Sequence, residues 1–233
     1  MKSRRSSNQR FPEKPYYKDA EIEAISEEAL RSVSLMPESP SPVRIDRFIE
    51  KRFGVSHTYE DLPEGVLGFT CFGPKGVQAV CISRWLDDGG KVADRRVRST
   101  LAHEGGHGLL HAHLFLLPTT EPLFGDCSDP AKPKVLCRDD SVAGTPRQEY
   151  DGRWWEFQAN GAMSCLLLPK PLVLKAMEPY LLTRGLLEVR SVDPARRMDA
   201  ARALSEIFDV NPVFVKLRIE RLFPEAQDSQ LAL

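Results

Sequence analysis

RSTLAHEGGHGLLHAHLF, residues 98–115, contains four of the five histidines of this chain. The spacing of its apolar residues predicts a helix. Positions i and i+4 of an α-helix lie on one face, one turn apart, so His103 and His107 can bind the same ion. Glu104 follows the first of them and can take a proton from a water molecule held by that ion. The HExxH pattern therefore predicts a metal site that carries out chemistry.

Zinc suits this pattern, because it accepts nitrogen and oxygen ligands and keeps one position open for water when the protein supplies three ligands. Manganese is the alternative ion. Spacing alone leaves the third protein ligand open. On a straight helix His111 lies more than two turns from His103, so we exclude it from the shared ion. The remaining candidates are His113, Glu121, Asp126, Cys127, Cys137, Glu149 and Glu156.

A simpler explanation of the segment is a surface helix that carries His103 and His107 as ordinary polar residues. Apolar residues flank the motif, however, which predicts a half-buried helix and argues against that explanation. The glycines of the segment also argue against a purely structural helix. Gly105, Gly106 and Gly108 each weaken a helix interior by up to about 1 kcal/mol relative to Ala. They allow the close approach of either a substrate or a neighbouring backbone.

The composition limits the class of protein. A chain of 233 residues with 42% hydrophobic residues can bury a core as one domain with an accessory part, or as two small domains. Its 32 Lys and Arg residues nearly balance 33 Asp and Glu, so no global field attracts it to nucleic acid or membranes. No apolar run approaches the roughly 20 residues of a membrane span. With five cysteines and no apolar leader, we expect a cytoplasmic protein that makes no membrane contact.

The region before the motif contains helices and a small sheet. Residues 1–18 are predicted to be a basic flexible tail, with a nucleic-acid-binding arm as the alternative. Helices are predicted over residues 19–35 and 43–53. The segments GVLGFTCFG (65–73) and GVQAVCISRW (76–85) are rich in Val, Ile and Phe, which predicts strands. An α+β fold follows, mainly helical with a small β-sheet.

The region after the motif begins with a long insertion. Residues 118–150 are rich in Pro, Gly, Asp and Ser, which predicts an inserted loop or small lobe. A helix follows, with the sequence GRWWEFQANGAMSCLLL (152–168). Residues 190–225 contain two helical patterns interrupted at FDVNP, which predicts a helix-turn-helix-like C-terminal segment.

Two segments together resemble the ImmA/IrrE family of metallo-endopeptidases. They are RRVRSTLAHEGGHGLLH (95–111) and EFQANGAMSCLLLP (156–169), and the resemblance extends over roughly residues 43–175. It implies a zincin-like metallopeptidase core, which we expect over residues 19–180 with the insertion at 118–150. It also implies that zinc is bound by His103, His107 and Glu156, and that Glu104 is the general base.

By the same resemblance, the protein is a zinc-dependent endopeptidase that hydrolyses a peptide bond in a regulatory protein, such as a helix-turn-helix repressor. The alternative is a transcriptional regulator that binds DNA or a protein and has a non-proteolytic metal site. A purely structural zinc normally has four protein ligands, which argues against that alternative.

The C-terminal helices could contact DNA phosphates through Lys216, Arg218 and Arg221. The simpler alternative is a helical hairpin that packs on the rest of the protein. The predicted buried residues of the helix-turn-helix-like segment are Ala203, Leu204, Ile207, Val210, Val215 and Leu217. A second metal site formed by Cys127, Cys137 and His113 is a further hypothesis, although free cysteines more often behave as small buried hydrophobic residues.

Overall fold

The computed structural model describes residues 2–5, 13–115, 134–138, 154–184 and 189–224. The chain divides into two compact units. Unit 1 comprises residues 1–36 and 43–169, and unit 2 comprises residues 37–42 and 170–233. The division after Pro169 differs from the predicted domain end at residue 180, because the short helix that follows this proline groups with the C-terminal elements.

The first residues of unit 1 differ from the flexible tail that we predicted over residues 1–18. Strand β1 (Lys2–Arg5) pairs antiparallel with strand β2 (Glu13–Tyr16), with Lys2 opposite Tyr16. Charge alone does not reveal this arrangement, because the two segments satisfy each other's backbone groups whatever their side chains.

A mixed four-stranded sheet forms the β layer of unit 1. It contains β3 (His57–Glu60), β4 (Val66–Gly73), β5 (Gly76–Ser83) and β6 (Lys134–Arg138), in the order β3-β5-β4-β6. Strand β3 runs parallel to β5, whereas β4 runs antiparallel to both of its neighbours. The two predicted strands and the α+β class are confirmed. Strand β6 comes from the predicted insertion and had no counterpart in the sequence analysis.

Four α-helices complete the described part of unit 1. They are α1 (Asp19–Ser32), α2 (Ile45–Phe53), α3 (Lys91–Leu110) and α4 (Trp154–Leu167). The chain leaves α2 through Gly54, whose φ of 71° is the left-handed conformation that glycine adopts easily. Helices α1, α3 and α4 share an apolar cluster of Ile22, Leu110, Ala162 and Cys165.

Helix α3 is the centre of unit 1. All residues from Thr100 to Gly108 are buried, so the prediction of a half-buried helix was wrong for this stretch. The glycines explain the difference, since they let neighbours approach on several sides. Phe48 and Ile49 of α2 lie against Gly105, and Phe53 and Val77 lie against Gly108. The motif is therefore enclosed rather than displayed on a surface.

Unit 2 contains α5 (Lys170–Met177), the antiparallel strands β7 (Leu181–Arg184) and β8 (Val189–Val192), and helices α6 (Arg197–Phe208) and α7 (Pro212–Leu222). Asp209, with a φ of 51°, ends α6. The side chain of Asn211 caps α7 by accepting a hydrogen bond from the Val213 N–H at 3.0 Å. The predicted break between the two helices is confirmed.

The interior of unit 2 agrees in part with the predicted buried set. Leu204, Val210 and Val215 are buried, but Ile207 is 38% exposed. Arg218, predicted to be available to DNA, is 1% exposed and belongs to the interior, so that prediction was wrong. Helical periodicity had suggested a polar face for this residue, and the long aliphatic stem of arginine tolerates burial better than its charge suggests.

Helix α3 is the longest helix in the described ranges, at 20 residues. Neither it nor any other helix in those ranges has an apolar stretch of the length that a bilayer crossing requires.

Candidate metal centre

Close contact between α3 and α4 brings the two halves of the site together. A Cβ atom added at Gly106 would lie 2.9 Å from the backbone oxygen of Ala159 and 3.0 Å from Cβ of Ala162. Only a glycine fits here without displacing α4. Of the two roles considered for the glycines, Gly106 thus serves the approach of a neighbouring backbone. The first turn of α4, which carries Glu156, is thereby held against the histidine face of α3.

Three side-chain atoms form a small triangle between these helices. Nε2 of His103 lies 3.0 Å from Nε2 of His107 and 3.0 Å from Oε2 of Glu156. The third side, from His107 Nε2 to Glu156 Oε2, is 3.5 Å. The structure therefore brings together the three residues expected to bind zinc, and this group can hold a metal ion.

These distances suit a single small cation. Ligand atoms placed tetrahedrally at about 2.0–2.2 Å from zinc lie about 3.3–3.6 Å from one another, close to the observed triangle. Two imidazole nitrogens and a carboxylate oxygen at this separation can share either a ring proton or a metal cation. Both histidines are buried, at 4% and 0% exposure, so the alternative of polar residues on a surface helix was wrong.

The protonation of these groups favours metal ligation. Burial alone would raise the pKa of Glu156, but its electrostatic interactions with His107 and His103 outweigh burial and hold this pKa well below its usual range. Burial lowers the pKa of His107, which favours the neutral imidazole. An ionised carboxylate and neutral imidazoles are the forms that bind metals.

Glu104 lies next to the triangle but is held by the sheet. The Thr70 hydroxyl on β4 donates a hydrogen bond of 2.5 Å to Glu104 Oε2. The other carboxylate oxygen, Oε1, is buried and has no hydrogen-bond partner among the described residues. Burial raises the pKa of Glu104 to about 8, against the lowering effects of His103 and of the Thr70 hydrogen bond. A buried carboxylate oxygen without a partner is costly unless a ligand or water occupies the space beside it.

Other polar side chains contact the outer nitrogens of the two histidines. Nδ1 of His103 lies 2.9 Å from Oδ1 of Asn160, and Nδ1 of His107 lies 2.9 Å from Nδ1 of His111. Histidine ligands commonly have their second nitrogen fixed in this way. Neither contact was predicted. Asn160 follows Glu156 by one helical turn, which could have indicated its position, whereas no local signal points to Thr70.

The remaining candidates for the third ligand do not join the triangle within the described part of the chain. His111 meets the outer nitrogen of His107 and faces away from the ion position, which agrees with its exclusion on helix geometry. His113 is exposed. The predictions on Glu121, Asp126, Cys127 and Glu149 lie outside the described residues, and so does the side chain of Cys137. The second metal site proposed for the cysteines therefore stays a prediction.

No protein-family model matches the chain, and no curated protein is a significant match to it. The geometry of the site is therefore the basis on which a function can be assigned to the protein.

Proposed function

We propose that this protein is a zinc-dependent endopeptidase of the HExxH type, with a zincin-like core formed by α3, α4 and the β4–β5 part of the sheet. The observation that carries the proposal is Glu104, a fully buried carboxylate beside the ligand triangle with one oxygen tied to Thr70 and the other unpartnered among the described residues. A purely structural metal site does not require a buried carboxylate of this kind beside its ligands. The resemblance to the ImmA/IrrE family supports the same assignment.

His103, His107 and Glu156 would hold the ion, and three protein ligands would leave a position for a reactant. A zinc ion bound there would act as a Lewis acid, which would lower the pKa of a water molecule and polarise the scissile carbonyl group. Glu104 Oε1 accepts the proton of the attacking water while Thr70 holds Oε2 in place. The same carboxyl group then donates this proton to the leaving amine nitrogen.

A regulatory protein is the proposed substrate, and a helix-turn-helix repressor is the class that the family resemblance favours. This is an analogy at the level of the family. The proposed DNA contact of the C-terminal helices is now confined to Lys216 and Arg221, because Arg218 is buried.

The decisive experiment compares Glu104→Gln with the wild-type protein. Both are loaded with zinc or manganese and incubated with a library of quenched fluorescent peptides and with repressors encoded near the gene. The variant should bind zinc as the wild type does, since Glu104 is not a ligand. Its cleavage rate should fall about 10²- to 10⁴-fold, the usual contribution of a general base. The exposed Glu64, replaced by Gln, is the matched control and should cleave at the wild-type rate.

The same experiment separates the endopeptidase from the alternative of a regulator with a non-proteolytic metal site. That alternative predicts zinc binding without cleavage of any peptide, together with salt-dependent DNA binding that Lys216→Ala weakens. Cleavage by Glu104→Gln at the wild-type rate would overturn the proposed mechanism.

A further inference from the structure

A line of hydrogen bonds leads from His107 to the N-terminal strand pair. His107 Nδ1 contacts His111 Nδ1 at 2.9 Å, and His111 Nε2 contacts Gln158 Oε1 at 3.1 Å. The Gln158 amide nitrogen donates to the backbone oxygen of Pro15 in β2 at 2.8 Å. All three side chains are buried, so water does not compete for these bonds.

The far end of this line fixes the direction of every bond in it. A backbone oxygen can only accept, so Gln158 must turn its NH₂ group toward Pro15 and its Oε1 toward His111. Oε1 also only accepts, so His111 carries its proton on Nε2. A neutral imidazole has one N–H, which leaves His111 Nδ1 as an acceptor. His107 must then donate from Nδ1, and its Nε2 keeps a lone pair.

The metal end requires the same direction for an independent reason. His107 Nε2 belongs to the ligand triangle, and a nitrogen can ligate a metal only if it carries no proton. A neutral histidine side chain free in water prefers the opposite tautomer, with the proton on Nε2, and that proton would block metal binding at Nε2. Two constraints from opposite ends of the line therefore agree.

We propose that His111 and Gln158 are positioning residues that, anchored on the Pro15 carbonyl, hold His107 in the tautomer that can bind the metal. The proposal rests on the metal site of the proposed function but not on its peptidase activity. Trp154 packs edge-on against His111, with ring centroids 5.6 Å apart, and keeps that imidazole in the required orientation. The N-terminal strand pair thus contributes to the metal centre through a backbone oxygen.

Nitrogen-15 NMR of the wild-type protein tests the tautomers directly, because protonated and unprotonated ring nitrogens have different shifts and couplings. In the metal-free protein we expect His107 protonated on Nδ1 and unprotonated on Nε2. His111 should be protonated on Nε2 in both the metal-free and the zinc-bound protein. A proton on His107 Nε2 in the metal-free protein, or on His111 Nδ1 in either state, would overturn the proposal.

Two nearly isosteric substitutions test the effect on metal affinity by competition with a fluorescent zinc chelator. His111→Leu removes the acceptor for His107 and should weaken zinc binding about 10- to 100-fold. His111→Asn places an amide oxygen near the lost Nδ1 and should recover most of that loss, to within about tenfold of wild type. Equal zinc affinity in the Leu and Asn variants would contradict the proposed positioning role of His111. Gln158→Leu should leave His111 as a mixture of tautomers in the NMR spectrum.

These measurements distinguish failure of the proposed positioning role of His111 and Gln158 from failure of the proposed function. If the protein has the expected tautomers and zinc affinities but cleaves no peptide, the proposed endopeptidase activity is wrong and the positioning role of His111 and Gln158 is retained. If the protein cleaves peptides but has the opposite tautomers, only the positioning role of His111 and Gln158 is wrong.

Discussion

Substitution of Gly106 by Ala tests whether contact between α3 and α4 builds the metal centre. The added methyl group would lie 2.9 Å from a backbone oxygen of α4, closer than real Cβ atoms come, and a backbone cannot rotate away as a side chain can. Overpacking of this kind costs about 1–3 kcal/mol. Replacing a glycine within a helix gains up to about 1 kcal/mol, which partly offsets that cost.

The adjacent Gly105 supplies a matched control. A methyl group there would meet the Cδ1 atom of Ile49 at 3.2 Å, the flexible end of a side chain. Both substitutions gain the same helix propensity, so the difference between them isolates the collision with α4. We expect Gly106→Ala to be less stable than Gly105→Ala by about 1–3 kcal/mol.

Tryptophan fluorescence during urea unfolding measures this difference for unit 1 alone. The three tryptophans of the chain, Trp85, Trp154 and Trp155, all belong to that unit. Zinc affinity should also fall in Gly106→Ala, because displacement of α4 moves Glu156 away from the histidines. The reasoning is refuted if Gly106→Ala is at least as stable as Gly105→Ala and binds zinc equally well.

Three further predictions concern other parts of the molecule. Thr70→Val removes the hydrogen bond to Glu104 and should lower kcat about 10- to 100-fold while zinc affinity, measured by chelator competition, stays at the wild-type level. Burial raises the pKa of the Cys81 thiol to about 12, so little reactive thiolate forms below that pH. Peptide mapping after iodoacetamide treatment at pH 8 should find Cys81 unmodified in the native protein and modified after unfolding. Arg218→Ala should lower the Tm measured by circular dichroism more than Arg221→Ala does, since Arg218 is buried and Arg221 is exposed; equal shifts would contradict this placement.

The sequence was a good guide where one element determines the geometry. The separation of His103 and His107 by four residues places both on one helical face, and this needs no tertiary information. The strands β4 and β5 and the caps of α2 and α7 are also local, since Gly54 and Asn211 mark helix ends by their own conformational preferences.

Features that depend on contacts between distant parts of the chain were harder to predict from the sequence. Thr70 lies 34 residues before Glu104 and has no motif of its own, so only the packing of α3 on the sheet reveals it. The sequence around Glu156 predicted a carboxylate on a helix. It did not predict that this carboxylate lies beside the histidines, because that depends on the close approach of α3 and α4 at Gly106. Burial of Arg218 likewise follows from the packing of unit 2, which periodicity on one helix cannot report.

The ligand triangle has a mechanical consequence for the fold. His103 and Glu156 are 53 residues apart in sequence, and the intervening chain includes the insertion. An ion that binds both acts as a removable cross-link, and it stabilises the folded chain in proportion to the logarithm of its free concentration. The lifetime of unit 1 against proteases should therefore increase with the free metal concentration in the cell, so that metal starvation would lower the amount of folded protein.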